Sequence, residues 1–294
     1  MINQVANHTI KQQTINVTVV HLVWLPYGIE LFRSFIGSYV RYPAGADHRL
    51  LILFNGIKDE AETRAYHELI GKYGITYSSK YLSGGQDIDA YFFAAKEIKT
   101  DYLFFLNSFS VLNTSDWLLK YIPAFDSSTG IISATASNQS HVSLVFQNNN
   151  FRYESSKGFL INFRKYKLML KAFFYWRSLF KPFPNPHLRS NAFMIRRDIF
   201  LSLKRIPIKN KLDAYRFESG RNGMTIQILK KGLHALVIDK HGKTYEPHEW
   251  KDSKTFWWAN QENLMISDNQ TRIYDNASPA EKEFMSKTAW GFNE

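Results

Sequence analysis

An alternation of apolar strands and helix-length segments over the first 106 residues limits this chain more than any other feature. Residues 15–25 (INVTVVHLVWL) are β-branched and apolar and stop at Pro26-Tyr27-Gly28, as a buried strand ending in a loop does. Residues 29–40 place Leu31, Phe32, Phe35, Ile36 and Tyr39 at helical spacing before a Pro-Gly turn at 42–45. A second apolar run, 49–54 (RLLILF), ends at Asn55-Gly56, and a polar helix is expected over about 59–73. Residues 75–81 read as a third strand, 87–98 as a third helix and 102–106 (YLFFL) as a short fourth strand. Strands separated by helices pair in parallel, because each crossover helix carries the chain back to the same end of the sheet. The expected class is α/β, a nucleotide-binding domain with a mostly parallel central sheet flanked by helices.

The pattern weakens after residues 131–135 (IISAT). Beyond it, 192–195 (AFMI) reads as a strand leading into a helix over 196–203, and 213–222 as a polar segment. A helix over 224–231 and a strand over 234–238 (HALVI) follow. The expected division is an N-terminal extension 1–14, a nucleotide-binding half 15–135, a second half 136–244, and a C-terminal strap 245–294 of little periodicity.

Composition narrows the partners. The 294 residues carry 37 Lys plus Arg against 26 Asp plus Glu, a formal charge of +11, so anionic partners are favoured. Zinc-finger, aromatic RNP and helix-turn-helix patterns are all missing from the sequence, which argues against nucleic acid. The chain has no cysteine, which excludes disulfides and thiolate metal sites. There is no run of about 18 uncharged apolar residues and no apolar signal-peptide core in residues 1–13, so a cytoplasmic protein without a membrane span is expected.

In an open parallel sheet, ligands bind at the carboxyl ends of the strands. The segments to inspect are therefore Pro26 to Gly28, Asn55-Gly56, the turn 84–89 (GGQDID) and Asn107-Ser108-Phe109-Ser110. Asp87 and Asp89 suit nucleobase N–H or ribose hydroxyl groups, while Asp87 serves equally as a helix N-cap. Residues 184–191 (PNPHLRSN) form a rigid polar loop entering an apolar strand, with His187, Arg189 and Asn191 able to hold hydroxyls or a phosphate. Two later clusters, 245–250 (YEPHEW) and 268–272 (DNQTR), are rich in hydrogen-bonding groups but lack a specific metal-ligand spacing.

The first strand, the helix start at 87–95, the strand end YLFFLNSFSV and the block 216–238 (RFESGRNGMTIQILKKGLHALVI) resemble the GT-A glycosyltransferases, especially those like family 2, over residues 17–238. The resemblance implies transfer of a sugar from a nucleotide-sugar donor to a glycan or lipid-linked glycan acceptor in cell-surface polysaccharide assembly. It puts Pro26, Asn55, Asp87, Asp89, Asn107 and Ser108 on the donor side and His187, Arg189 and Asn191 on the acceptor side. That family carries an Asp-x-Asp element where this chain reads Asn107-Ser108-Phe109, and neither outer residue holds a hard cation such as Mn or Mg as Asp does. A basic side chain, Arg189, Arg196 or Arg221, is the expected substitute for neutralising the diphosphate. Glu218 falls in the family's acidic slot and would deprotonate the acceptor hydroxyl; its other reading is a glutamate favoured by a helix-start dipole. A noncatalytic glycan- or nucleotide-binding module on the same fold is the competing function.

One segment stands apart. Residues 159–183 (FLINFRKYKLMLKAFFYWRSLFKPF) hold six basic side chains, nine aromatic ones and no acidic one. As a helix it sets Arg164, Lys167, Lys171, Ser178 and Lys181 near one stripe, interrupted by Phe174, and Leu160, Phe163, Leu170, Phe173 and Trp176 largely elsewhere. Such a helix suits the surface of an anionic membrane, or else packs its aromatic side on the domain and leaves the basic stripe in water.

Overall fold

Near-continuous apolar runs become strands buried on both faces, and the first strand, β1 (Val17–Trp24), is buried from Val17 to Val23. The computed structural model describes residues 15–143 and 159–291; the N-terminal extension 1–14 lies outside them. In chain order the strands are β1, β2 (Arg49–Asn55), β3 (Ser78–Leu82), β4 (Tyr102–Leu106), β5 (Val111–Leu112), β6 (Thr129–Ser133), β7 (Ala136–Ser137), β8 (His187–Leu188), β9 (Phe193–Arg196), β10 (His234–Ile238), β11 (Thr244–Tyr245) and β12 (Ile266–Ser267). The α-helices are α1 (Ile29–Arg41), α2 (Arg64–Gly71), α3 (Asp87–Glu97), α4 (Trp117–Tyr121), α5 (Phe159–Leu179), α6 (Arg197–Ser202), α7 (Lys211–Ser219), α8 (Met224–Lys230), α9 (Asn269–Asn276) and α10 (Pro279–Trp290).

Eight strands form the central sheet in the order β11-β10-β6-β9-β4-β1-β2-β3. β1 pairs in parallel with β2 and β4, β2 with β3, and β6 with β10. β9 is the exception within the sheet, antiparallel to both β4 and β6, and β11 runs antiparallel at the edge. The architecture is thus α/β with a mostly parallel central sheet flanked by helices, as the sequence leads one to expect.

Alternate side chains of the strands feed two cores. Val20, Leu22 and Phe105 meet Ile88, Tyr91 and Phe92 of α3 and Phe200 of α6 on one face. Val19, Ile52 and Phe104 meet Phe32, Phe35 and Ile36 of α1 and Trp117 and Tyr121 of α4 on the other. Contact is tight at Gly130, where a Cβ would lie 2.5 Å from Ile228 Cγ2 of α8, so helix and strand approach only because that side chain is missing.

Two expectations need correction. The polar stretch 213–222 contains most of α7, with Asn210 capping it through Asp213 N. The strap is also more regular than its weak periodicity implies: it holds α9 and α10, each opened by a capping box, Asp268 with Thr271 and Ser278 with Glu281. Antiparallel pairing of β12 with β5 fastens it beside the end of β4.

Candidate functional site

The carboxyl ends of β1, β2 and β4 open into a cleft of about 580 Å³, a volume in the range of small-molecule sites. Trp24, Asn55 and Asn107 stand at these three strand ends and line it. Because β9 runs the opposite way, the loop before it, and not the one after, reaches the same rim. That is why His187, Arg189, Ser190 and Asn191 enter the cleft. Arg196, at the far end of β9, sits opposite Tyr102 at the start of β4 and pairs with Asp198 at 2.6 Å, on the edge away from the cleft. It is therefore not the diphosphate clamp.

Four polar side chains brace the floor. Ser108 Oγ accepts from Trp24 N at 2.9 Å and joins β4 to β1. Asn191 Oδ1 accepts from Asn107 N at 2.9 Å and Ser110 Oγ at 2.8 Å, while Asn107 Oδ1 accepts from Phe109 N at 2.9 Å. Asn55 accepts from Gly56 N at 2.9 Å and donates to Gly85 O at 3.2 Å, which holds the turn before α3 against β2. Asn107 thus spends its side-chain oxygen on its own loop and Ser108 on β1, and neither brings a carboxylate to a cation. Among the described residues no group of three or more His, Cys, Asp or Glu side chains is arranged to hold a metal ion. The donor set does not fit a divalent metal at the Asn107-Ser108-Phe109 position.

Asp87 and Asp89 part company. Asp87 lines the cleft as the first residue of α3, with Gln86 at the cap position, and its Oδ1 accepts from Ile88 N at 3.0 Å. Burial pushes its carboxyl above the usual range, Lys211 draws it down, and Glu218 across the cleft raises it again. Asp89, two residues on, points well round the helix from Asp87 and forms an ion pair with Arg205, outside the cleft lining. Pro26 also lies off the lining, in a 3-10 turn, and its neighbours Trp24 and Tyr27 take the wall. Arg221 turns to α5, where its Nε donates to Arg177 O at 2.7 Å, and so does not reach the cleft.

Glu218 sits in the last turn of α7, where the helix dipole disfavours a negative charge, so the helix-start reading does not hold. What fixes it is the β8–β9 loop: Oε2 accepts from Ser190 N at 2.7 Å and from Ser190 Oγ. Burial pushes its carboxyl up, but His187, Arg189 and the two Ser190 donors outweigh that and leave it below the usual glutamate range. The carboxylate is ionised at neutral pH and faces the cleft.

His187 is buried, and its Nδ1 donates to Asn185 O at 2.8 Å, which directs the lone pair of the neutral ring to Nε2. Burial lowers its pKa and that of His141, another lining side chain. Arg189 is held from two sides, by Asp268 at 3.1 Å and by the Phe256 ring 4.4 Å from its guanidinium carbon. The strap closes the remaining side with Phe256, Trp257, Asn269 and Gln270. Of the two strap clusters, 268–272 adjoins the cleft; 245–250 does not, since Trp250 is core and Tyr245 donates to Asp239 at 2.9 Å.

Sequence reasoning passed over Ser190, Lys211, Tyr215, His141, Phe256 and Trp257, all in the lining. Ser190 lies inside the loop already singled out. The others come from elements whose position relative to the sheet no local pattern encodes.

No protein-family model matches the chain, and no curated protein sequence matches it. Solved structures do. TarS of S. aureus is 12% identical over 40% of this chain and 21% of its own, with a TM-score of 0.31. The mannosyltransferase PcManGT from Pyrobaculum calidifontis, in complex with GDP-Man and Mn2+, is 11% identical over 93% of this chain and 68% of its own, with a TM-score of 0.46. GalNAc-T7 with UDP, GalNAc and Mn2+ is 12% identical over 93% of this chain and 52% of its own, with a TM-score of 0.49. The likeness is one of fold. The chain spans about a fifth of the first of these proteins and about half of the third.

Proposed function

We propose that this protein is a glycosyltransferase that moves a sugar, a hexose or close relative, from a nucleotide-sugar donor to a glycan or lipid-linked glycan acceptor in cell-surface polysaccharide assembly. The observation that carries the reading is Glu218, an ionised carboxylate fixed by Ser190 and facing a cleft at the carboxyl ends of a parallel sheet. In the reaction, Glu218 takes the proton of an acceptor hydroxyl as that oxygen forms its bond to the anomeric carbon. The bond from that carbon to the phosphate oxygen breaks, and the nucleoside diphosphate leaves with the electron pair. Asp87 and the strand ends at Asn55, Asn107 and Ser108 face the donor, while His187, Arg189 and Asn191 lie toward the acceptor. Arg189 and Lys211 are the arginine and lysine side chains among the described lining residues; Arg189 lies on the acceptor side, and Lys211, beside Asp87, takes the charge-neutralising part for the departing diphosphate. On this reading residues 15–135 are the donor half, 136–244 the acceptor half and 245–294 a strap over the cleft.

The acceptor side adjoins α5. Trp176 stacks with His141 at 5.7 Å, and His141 meets Tyr215 at 5.0 Å, both of them lining residues, so the helix is packed onto the cleft wall. Its outer face carries Phe163, Tyr166, Leu168, Phe174 and Tyr175, each more than half exposed, among exposed Arg164, Lys167 and Lys171. Basic and aromatic side chains thus interleave on one face, and do not segregate as the sequence spacing implies. Interleaving suits the headgroup region of an anionic membrane, where ammonium groups meet phosphate and rings sit at the boundary. We place the enzyme on the inner face of the membrane, beside a lipid-linked acceptor. No helix of the described residues is long and apolar enough to cross a bilayer.

A panel of nucleotide-sugars tests the function by thermal unfolding, because a ligand that binds only the native state raises the midpoint. At least one donor is expected to raise it, and single-stranded oligonucleotides are expected to have no effect. A panel that leaves the midpoint unmoved at millimolar concentration overturns the proposal. A noncatalytic binding module gives the same shift without ever releasing nucleoside diphosphate.

A further inference from the structure

The acceptor-side wall of the main cleft leaves two polar atoms open, and both are hydrogen-bond acceptors. Glu218 gives Oε2 to the two Ser190 donors, which leaves Oε1. His187 gives Nδ1 to Asn185 O, which leaves Nε2. Among the described residues neither Oε1 nor Nε2 has a hydrogen-bonding partner, and neither is sealed from solvent, so both open on the cleft that their side chains line. Arg189, two residues on from His187, does not fill the gap, because its guanidinium is turned to Asp268 and the Phe256 ring.

The stretch 185–190 sets these two side chains next to each other. Asn185 Nδ2 donates to Ser219 O at 2.8 Å, while its O receives the His187 ring at 2.8 Å. Ser190 N, three residues past His187, donates to Glu218 at 2.7 Å. The stretch thus grips residues 218 and 219 of α7 at two points, with His187 between them in the chain, and Leu188 N anchors it to α8 through Thr225 Oγ1 at 2.9 Å. The side chains are near enough to act on each other. Burial lowers the pKa of His187 and Glu218 draws it up; burial raises that of Glu218, and His187 leads the groups that draw it down.

An ionised carboxylate has no proton to donate, and a neutral imidazole whose N–H is committed to a carbonyl meets the cleft with a lone pair. An anionic group on a ligand would set its own lone pairs against both. A ligand with a single hydroxyl satisfies one atom and leaves the other unpaired in a water-poor wall, which is costly. Two hydroxyls on neighbouring carbons satisfy both, in different roles. One loses its proton to Glu218 as its oxygen bonds to the anomeric carbon; the other keeps its proton, and none of its bonds forms or breaks.

We propose that the acceptor is a diol at the point of attack, and that His187 selects it by accepting a hydrogen bond at Nε2 from the hydroxyl beside the reacting one. The inference rests on the glycosyltransferase reading with Glu218 as base. It makes the acceptor a sugar with free hydroxyls on neighbouring carbons, and it disfavours an isolated alcohol such as a serine or threonine side chain.

Nucleoside diphosphate release by the full chain tests it, with a panel of nucleotide-sugars as donors and methyl glycosides and disaccharides of glucose, galactose, mannose and N-acetylglucosamine as acceptors. The acceptor that supports release is then replaced by each of its monodeoxy forms. Loss of the reacting hydroxyl abolishes transfer, and loss of one neighbouring hydroxyl is expected to lower kcat/KM about ten- to a hundredfold, the effect of leaving a buried acceptor unpaired. His187→Asn retains a donor for Asn185 O and removes the second ring nitrogen; it is expected to lower kcat/KM for the parent acceptor by a similar factor and to add little when the neighbouring hydroxyl is already missing. His187→Gln, whose amide oxygen replaces Nε2 as acceptor, is expected to recover part of the loss. Nucleotide-sugar affinity, read by thermal unfolding, stays within a few-fold in both variants, which separates lost recognition from lost folding. If every deoxy acceptor that keeps the reacting hydroxyl works as well as the parent, or if the losses from His187→Asn and from the missing hydroxyl multiply in full, the proposal is overturned and the glycosyltransferase reading stands. Release with a serine-containing peptide at the rate of the best saccharide overturns it in the same way. If no pair of donor and acceptor releases nucleoside diphosphate, both fall.

Discussion

His21 lies in the middle of β1 with neither ring nitrogen hydrogen-bonded, stacked on Phe35 at 3.6 Å between centroids. Burial lowers its pKa from 6.5 to about 3, so the ring is neutral in the fold. Below pH 6.5 the unfolded chain takes up a proton that the native chain refuses until about pH 3, so stability is lost as pH falls across that window. One proton corresponds to about 1.4 kcal/mol per pH unit. Denaturant unfolding of His21→Leu between pH 6 and pH 4 is expected to show a slope shallower than wild type by about that amount; parallel slopes would show that His21 does not titrate this way. Glu218 contributes in the same direction, since its carboxyl lies below the usual glutamate range and the stability it adds is lost as pH falls through that lowered pKa. Among single residues the sequence was informative at the strand ends, where Asn55, Asn107 and Ser108 lie in the cleft lining as expected. It misjudged Asp89 because two residues along a helix are about 200° apart, so Asp87 and Asp89 cannot serve one site.

At the scale of elements, β1, β2, β4 and β10 were legible as apolar runs, and their parallel pairing followed from the helices between them. The direction of β9 was not, because a short apolar strand carries no mark of which way it enters a sheet. That direction decides which loop reaches the cleft, and it explains why Arg196 is remote while Arg189 is inside. The helices of the strap did have a signal, the Ser278-Pro279 start with Glu281 three residues on from the cap, which a search for hydrophobic periodicity passes over. For α5, co-sedimentation with vesicles tests the outer face. Wild type is expected to pellet with anionic vesicles at low salt, less with neutral ones, and Lys167→Glu/Lys171→Glu is expected to pellet little with either. Wild type remaining in the supernatant with anionic vesicles would leave α5 as a solvated face.

For the whole molecule, the sheet supplies the floor of the cleft, the antiparallel β9 swings in the Ser190 loop that fixes Glu218, and the strap closes the side with Phe256 and Trp257. The strap is bound to the rim of the sheet through β12 and through Arg272, which donates to Phe109 O at 3.0 Å. That closure comes from contacts more than 150 residues apart, which explains why no local sequence pattern foretold it. The account joins three claims: a nucleotide-sugar occupies the cleft, no divalent metal is needed at Asn107-Ser108-Phe109, and Glu218 is the base. Nucleoside diphosphate release in excess EDTA, from a nucleotide-sugar panel with a pool of saccharide acceptors, tests them together in wild type and Glu218→Gln. The account predicts release by wild type with at least one donor, and release reduced at least about a thousandfold in Glu218→Gln while donor affinity stays within a few-fold. Release by Glu218→Gln at the wild-type rate, or complete loss of wild-type release in EDTA with recovery on adding manganese, would contradict it.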